Sequence, residues 1–140
     1  MKRPNLLYIF TDQQRADTMA CYGNDQIETP ALNHLARDSF VFDQAYVSQP
    51  VCSPSRATML TGLWPHTSGV PSCNKPLPAD VPPIAEMLPE DYACAYMGKW
   101  HLGDEIFAQH GFETWVGTEN SYRAHYSDAE RLTHHSDYAQ

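Results

Sequence analysis

Residues 5–11 read Asn-Leu-Leu-Tyr-Ile-Phe-Thr, a short apolar run with no polar residue alternating into it. A half-buried strand alternates apolar and polar side chains. An uninterrupted run this short, rich in β-formers, belongs in a strand covered on both faces, as in a parallel sheet. Covering both faces takes helices, so the run commits the chain to an α/β arrangement. It ends at Asp12 and Gln13. In open α/β sheets ligands sit beyond the carboxyl ends of the strands, which makes these two polar residues candidates for binding.

The rest of the chain supplies further elements of that kind. Thr29 and Pro30 suit the cap and first position of a helix, with Leu32, Leu35 and Ala36 following at helical spacing. Residues 40–46 read as a second short strand. Ser53 and Pro54 repeat the cap-then-proline pattern for a second helix, and Gly62 suits its C-terminal cap. Residues 65–83 are a proline-rich loop, residues 83–88 a short helix start, and residues 92–97 a third strand that ends at Gly98. Residues 127–140 look weakly helical and stop without a capping or turn signal. Three strands are few for an open sheet. The expectation is therefore one incomplete unit over residues 1–140, the front of a larger domain.

Charge and cysteine usage exclude several classes. Nine Lys and Arg against 17 Asp and Glu give a net charge of −8. Nucleic acid and anionic membranes attract clusters of Lys and Arg, so neither is an expected partner. No apolar run approaches the roughly 18 residues of a membrane span. Lys2 and Arg3 are basic, but the apolar run behind them is too short for a secretory signal, so a cytoplasmic setting is expected. Cys21, Cys52, Cys73 and Cys94 are dispersed, without the paired spacing of a zinc module. They read as at least partly free thiols in a reducing compartment.

Cys52 stands directly before the expected start of the second helix. A helix N-terminus presents unpaired backbone N–H groups and a partial positive charge, which attracts anions and lowers the pKa of a thiol. Arg56, four residues on, falls near the same face and can reach an oxyanion or the group at position 52. A buried structural cysteine beside a surface arginine satisfies the same spacing.

The wider string distinguishes the two. Cys52-Ser53-Pro54-Ser55-Arg56 matches C-x-P-x-R, and residues 50–62 closely resemble the signature of the type I sulfatases. Residues 4–13 resemble that family's first strand with its metal-binding end. Residues 22–24 and 29–36 resemble its next segment, and residues 98–103 (Gly-Lys-Trp-His-Leu-Gly) its second signature. Three positions depart from the pattern. Asp91 and Cys94 stand where the second signature usually has Gly and Thr, and Gln13 stands where many members have a second Asp.

The resemblance implies an alkaline-phosphatase-like α/β sandwich with a mostly parallel central sheet, of which this chain is the N-terminal portion. It implies that Cys52 is oxidised to formylglycine by a maturation enzyme. One hydroxyl of the hydrated aldehyde would attack sulfur and displace the alcohol. The second would lose its proton and expel sulfate, where a thiolate would be left as a stable thiosulfate. Asp12, Gln13 and the group at position 52 would hold a divalent cation, Ca2+ first and Mn2+ or Mg2+ as alternatives. Arg56 would hold the formylglycine hydroxyl, Lys99 would bind sulfate oxygens, and His101 would accept the second hydroxyl's proton. Lys99 and His101 are two apart, so an extended segment would point both to one face.

The substrate implied is a sulfated small molecule or carbohydrate. Two other readings fit the same residues: hydrolysis of phosphonate or phosphate monoesters on the same scaffold, and a non-catalytic remnant that binds metal or anions. The family's downstream metal ligands and its second catalytic histidine and lysine have no counterpart here. The 140-residue piece alone is therefore expected to be inactive and marginally stable.

Overall fold

The computed structural model describes residues 3–118. The helix expected over residues 127–140, with His134 and His135, lies outside them. The chain divides into two compact units, Met1–Tyr46 and Val47–Gln140.

In the first unit, 3-10 turns at Ala16–Thr18 and Ala20–Tyr22 precede helix α1 (Pro30–Arg37). Pro30 opens α1 as expected, because its fixed φ suits the first helical position. Thr29 does not cap its own helix. Its hydroxyl accepts from the Ala20 N–H at 3.0 Å and pairs with Asn33 Oδ1 at 3.2 Å, tying α1 to the second 3-10 turn. The strand expected over residues 5–11 joins no sheet among the described residues. Leu7 is 81% and Ile9 75% exposed. Residues 40–46 likewise form no strand, and Phe40 stacks edge-on against Phe42 in the open. An apolar run favours burial, but the run itself does not specify the strand it pairs with.

In the second unit, helix α2 spans Cys52–Thr61. Its cap is Val51, whose carbonyl accepts the Ser55 N–H at 3.0 Å, so the helix begins earlier than the Ser53 cap predicts. Ser53 and Pro54 are buried inside the first turn. Pro54 is tolerated there because first-turn N–H groups have no intrahelical acceptor to lose. Gly62 ends α2 in the left-handed conformation, φ +72°, its N–H bonded to Thr58 O at 2.8 Å. Helix α3 (Ile84–Met87) is a single turn.

Strand β1 (Ala95–Gly98) pairs in parallel with β2 (Thr114–Gly117), in the register Ala95↔Thr114 to Gly98↔Gly117. The third expected strand is thus present, displaced toward the second signature. Parallel neighbours need a long connection. Here it is the irregular segment 99–113, which carries the second signature. The core is built from Ala57 and Leu60 of α2 with Val70, Leu77, Tyr96, Trp100 and Leu102. Tyr96, Trp100, Phe112 and Trp115 form an aromatic cluster with ring centroids 5.0–6.3 Å apart. No helix of the described residues is long and apolar enough to cross a membrane.

Candidate functional site

Cys52 is the first residue of α2, half-buried, at the end where the helix dipole and unpaired N–H groups favour negative charge. Lys99, the first residue after β1, brings its ammonium to the same place. Lys99 Nζ donates to Cys52 Sγ at 3.8 Å. Two residues 47 positions apart thus put a cation and a helix N-terminus around one sulfur. Such a pair suits an anion, which fixed charge can hold without reorganisation.

Arg56 lies one helical turn from Cys52 and is 4% exposed. Its Nη1 donates to the backbone carbonyl of Lys99 and lies 3.5 Å from Tyr96 Oη. Tyr96 Oη donates to that same carbonyl. The Lys99 backbone is therefore held from below by a guanidinium and a phenol. Burial pushes the Tyr96 phenol up to about 12. The Arg56 charge opposes the rise, the Glu105 carboxylate adds to it, and the Arg56 hydrogen bond also opposes it. The phenol keeps its proton, and so its donor role, throughout the neutral range.

The strand-like alternation expected for Lys99 and His101 is not what the structure shows. β1 ends at Gly98, and His101 turns into the left-handed region with φ +56°. A histidine there carries strain of about 1–3 kcal/mol. His101 is buried, and its Nε2 lies 3.4 Å from Asn74 Oδ1. Asn74 is itself left-handed, at φ +60°. The N–H groups of Trp100 and His101 both donate to the carboxylate of Glu105, that of Trp100 at 3.0 Å.

Asp12 and Gln13 belong to the first unit and are exposed, Gln13 with φ +51°. Among the described residues no group of three or more His, Cys, Asp and Glu is placed to hold a metal ion. The oxygen donors Asp12 and Gln13 suit a hard cation by chemistry, but two of them fall short of the roughly six to eight oxygens that Ca2+ takes.

Motif reading found Cys52, Arg56, Lys99 and His101. It missed Tyr96, Asn74 and Glu105. A phenol or carboxylate that grips backbone has no fixed spacing from what it grips. The one available signal was an acidic residue four positions beyond His101, followed directly by the apolar pair Ile106 and Phe107.

A family model described as Sulfatase matches residues 4–139. The chain is 36% identical to the ulvan-active sulfatase of Formosa agariphila, over 86% of this chain and 25% of that protein. It is 32% identical to the N-acetylgalactosamine-6-sulfatase of Sus scrofa, over 91% of this chain and 28% of that protein. A solved structure in complex with its substrate D-glucosamine-2-N,6-O-disulfate superposes with a TM-score of 0.79 at 32% identity. That match covers 87% of this chain and 24% of the other. The chain thus spans about a quarter of the length of the relatives it matches.

Proposed function

The chain belongs to the sulfatase family, and we propose that the protein carrying it hydrolyses sulfate monoesters with its nucleophile at position 52. The observation that carries this reading is the Lys99 ammonium 3.8 Å from Cys52 Sγ at the N-terminus of α2. A sulfate monoester keeps anionic oxygens around the atom to be attacked. A fixed cation and a helix N-terminus answer that charge where it develops.

Cys52 is read as the site of conversion to formylglycine by a maturation enzyme. The aldehyde hydrate supplies a hydroxyl nucleophile and a second hydroxyl through which the ester is released. Lys99 binds and orients sulfate oxygens as a point charge. His101 holds the proton that leaves position 52 during release of sulfate. Arg56 fixes Lys99 through its backbone and adds positive charge beneath the site. Asp12 and Gln13 are read as oxygen donors to a divalent cation, Ca2+ first and Mn2+ or Mg2+ as alternatives, whose shell needs further donors. When bound, such a cation supplies Lewis acidity and charge neutralisation.

The substrate is read as a sulfated carbohydrate. The support is the sulfated sugar bound in the structural relative and the names of relatives acting on N-acetylgalactosamine and N-acetylglucosamine sulfates.

The test is expression of the complete reading frame in a host with a working maturation enzyme. Peptide mass across Cys52 is then measured, together with turnover of glucosamine 6-sulfate, an aryl sulfate and an aryl phosphonate monoester. Formylglycine at position 52 and metal-dependent release of sulfate are expected. An unmodified Cys52 with no sulfate released would sink the reading, and preferential phosphonate turnover would replace it with the phosphonate hydrolase.

A further inference from the structure

We propose that Glu105 is a positioning residue, whose buried carboxylate grips the N–H groups of Trp100 and His101 and so fixes where the Lys99 and His101 side chains stand. The proposal rests on the sulfatase reading of Lys99 and His101 and adds to it a residue outside both signatures.

Glu105 is 4% exposed. A carboxylate is withdrawn from water that far only where strong donors replace its hydration. Among its donors are two successive backbone N–H groups, Trp100 N–H to Oε2 at 3.0 Å and His101 N–H to Oε1. Successive N–H groups converge on one anion when the backbone passes between right- and left-handed conformations, and such a concavity is an anion nest. The φ of +56° at His101 is the left-handed half of that arrangement. The nest is occupied by a side chain of the same loop instead of a free anion. Charge-assisted bonds of this kind are roughly twice as strong as neutral ones.

Glu105 is itself anchored from behind. Its backbone carbonyl accepts from Trp115 Nε1 at 2.9 Å. The same oxygen lies so close to Gly117 that a Cβ built there would overlap it. Both contacts come from β2, so the carboxylate is referenced to the sheet. The other half of the same turn is held by Tyr96 and Arg56 on the Lys99 carbonyl. The backbone groups flanking both functional side chains are therefore gripped, the carbonyl from α2 and β1, the N–H groups from Glu105.

Glutamine at this position keeps the shape and one acceptor oxygen but turns an NH2 group toward the second backbone N–H. In the complete protein, Glu105→Gln is expected to fold and to keep formylglycine at position 52. Its kcat should fall by about 100-fold, the effect of misplacing a catalytic group by about 1 Å, with a smaller rise in KM as the displaced Lys99 holds sulfate less well. The limb of the pH–rate profile belonging to His101 should shift as well. A role confined to folding would lower the yield of active protein and leave kcat per formylglycine, KM and pH profile as in wild type; that result overturns the proposal.

Lys99→Ala and His101→Ala are measured in parallel. If these two retain wild-type sulfate release, the reading of the site has failed. If they lose it while Glu105→Gln does not, the role of Glu105 alone has failed. Should Glu105→Gln not fold, the wild-type protein with 15N-labelled tryptophan and histidine decides. Downfield, exchange-protected amide protons for Trp100 and His101 support the grip, and ordinary shifts with rapid exchange overturn it.

Discussion

Arg56 Nη1 donates to the backbone carbonyl of Lys99, so the helix that presents Cys52 is tied to the loop that presents the ammonium. Arg56 thereby sets a distance between two other residues, the 3.8 Å from Lys99 Nζ to Cys52 Sγ. This gives the arginine of the C-x-P-x-R string a structural task in addition to any contact with substrate.

Arg56→Ala should lower the stability of the protein by about 1–3 kcal/mol, because a part-buried carbonyl loses a charged donor. Arg56→Lys should recover only part of this, since an ammonium lacks the planar, rigid geometry that brings Nη1 to both the carbonyl and the phenol. Urea unfolding of the three proteins measures it. An Arg56→Ala midpoint equal to wild type would show that the strut carries no load.

Tyr96 makes a contribution to stability that depends on alkaline pH. Its folded pKa is raised to about 12 from an unfolded value of 10.0, chiefly by burial. The neutral phenol is therefore favoured in the folded state. The contribution is fully present below pH 10.0, and is lost as pH rises toward about 12. A rise of that size corresponds to about 2–3 kcal/mol. Unfolding free energies of wild type and Tyr96→Phe, compared at about pH 8, 10 and 11.5, should converge as pH rises. Parallel curves over that range would show that Tyr96 ionises as easily folded as unfolded.

Lys99→Met keeps much of the stem and removes the charge beside position 52. It should reduce kcat/KM for sulfate esters by about 100-fold or more, the usual effect of deleting one electrostatic stabiliser. Inhibition by inorganic sulfate should weaken in step. Unchanged sulfate inhibition would move the anion site away from Lys99.

Gly117→Ala addresses the packing behind Glu105. A Cβ there would run into the Glu105 carbonyl oxygen, a backbone atom that cannot rotate aside. The strand must shift, at a cost of about 1–3 kcal/mol. A melting temperature unchanged from wild type would mean that the loop yields freely at Glu105.

Local signals carried the helices. Pro30 and Gly62 act within a turn of themselves, so the start of α1 and the end of α2 were readable from the sequence. The start of α2 was misplaced because serine before proline looks like a cap, whereas burial of Ser53 puts it inside the first turn. Strands were harder. Residues 5–11 and 40–46 have strand composition, yet pairing is decided by distant segments, and only β1 and β2 find each other among the described residues. In the site, Lys99 and Cys52 were legible as members of two signatures. Glu105 and Tyr96 were not, because they bind main chain, and main chain has no sequence.

The left-handed backbone at His101 has a further consequence. Glycine adopts that conformation freely, so a sequence chosen only to fold would place glycine there. His101→Gly should accordingly relieve backbone strain but also empty the space of a buried imidazole, so its melting temperature records the difference between the two. On the proposed reading of His101, durability and chemistry are thus opposed at a single Cα atom, where imidazole holds a proton on strained backbone.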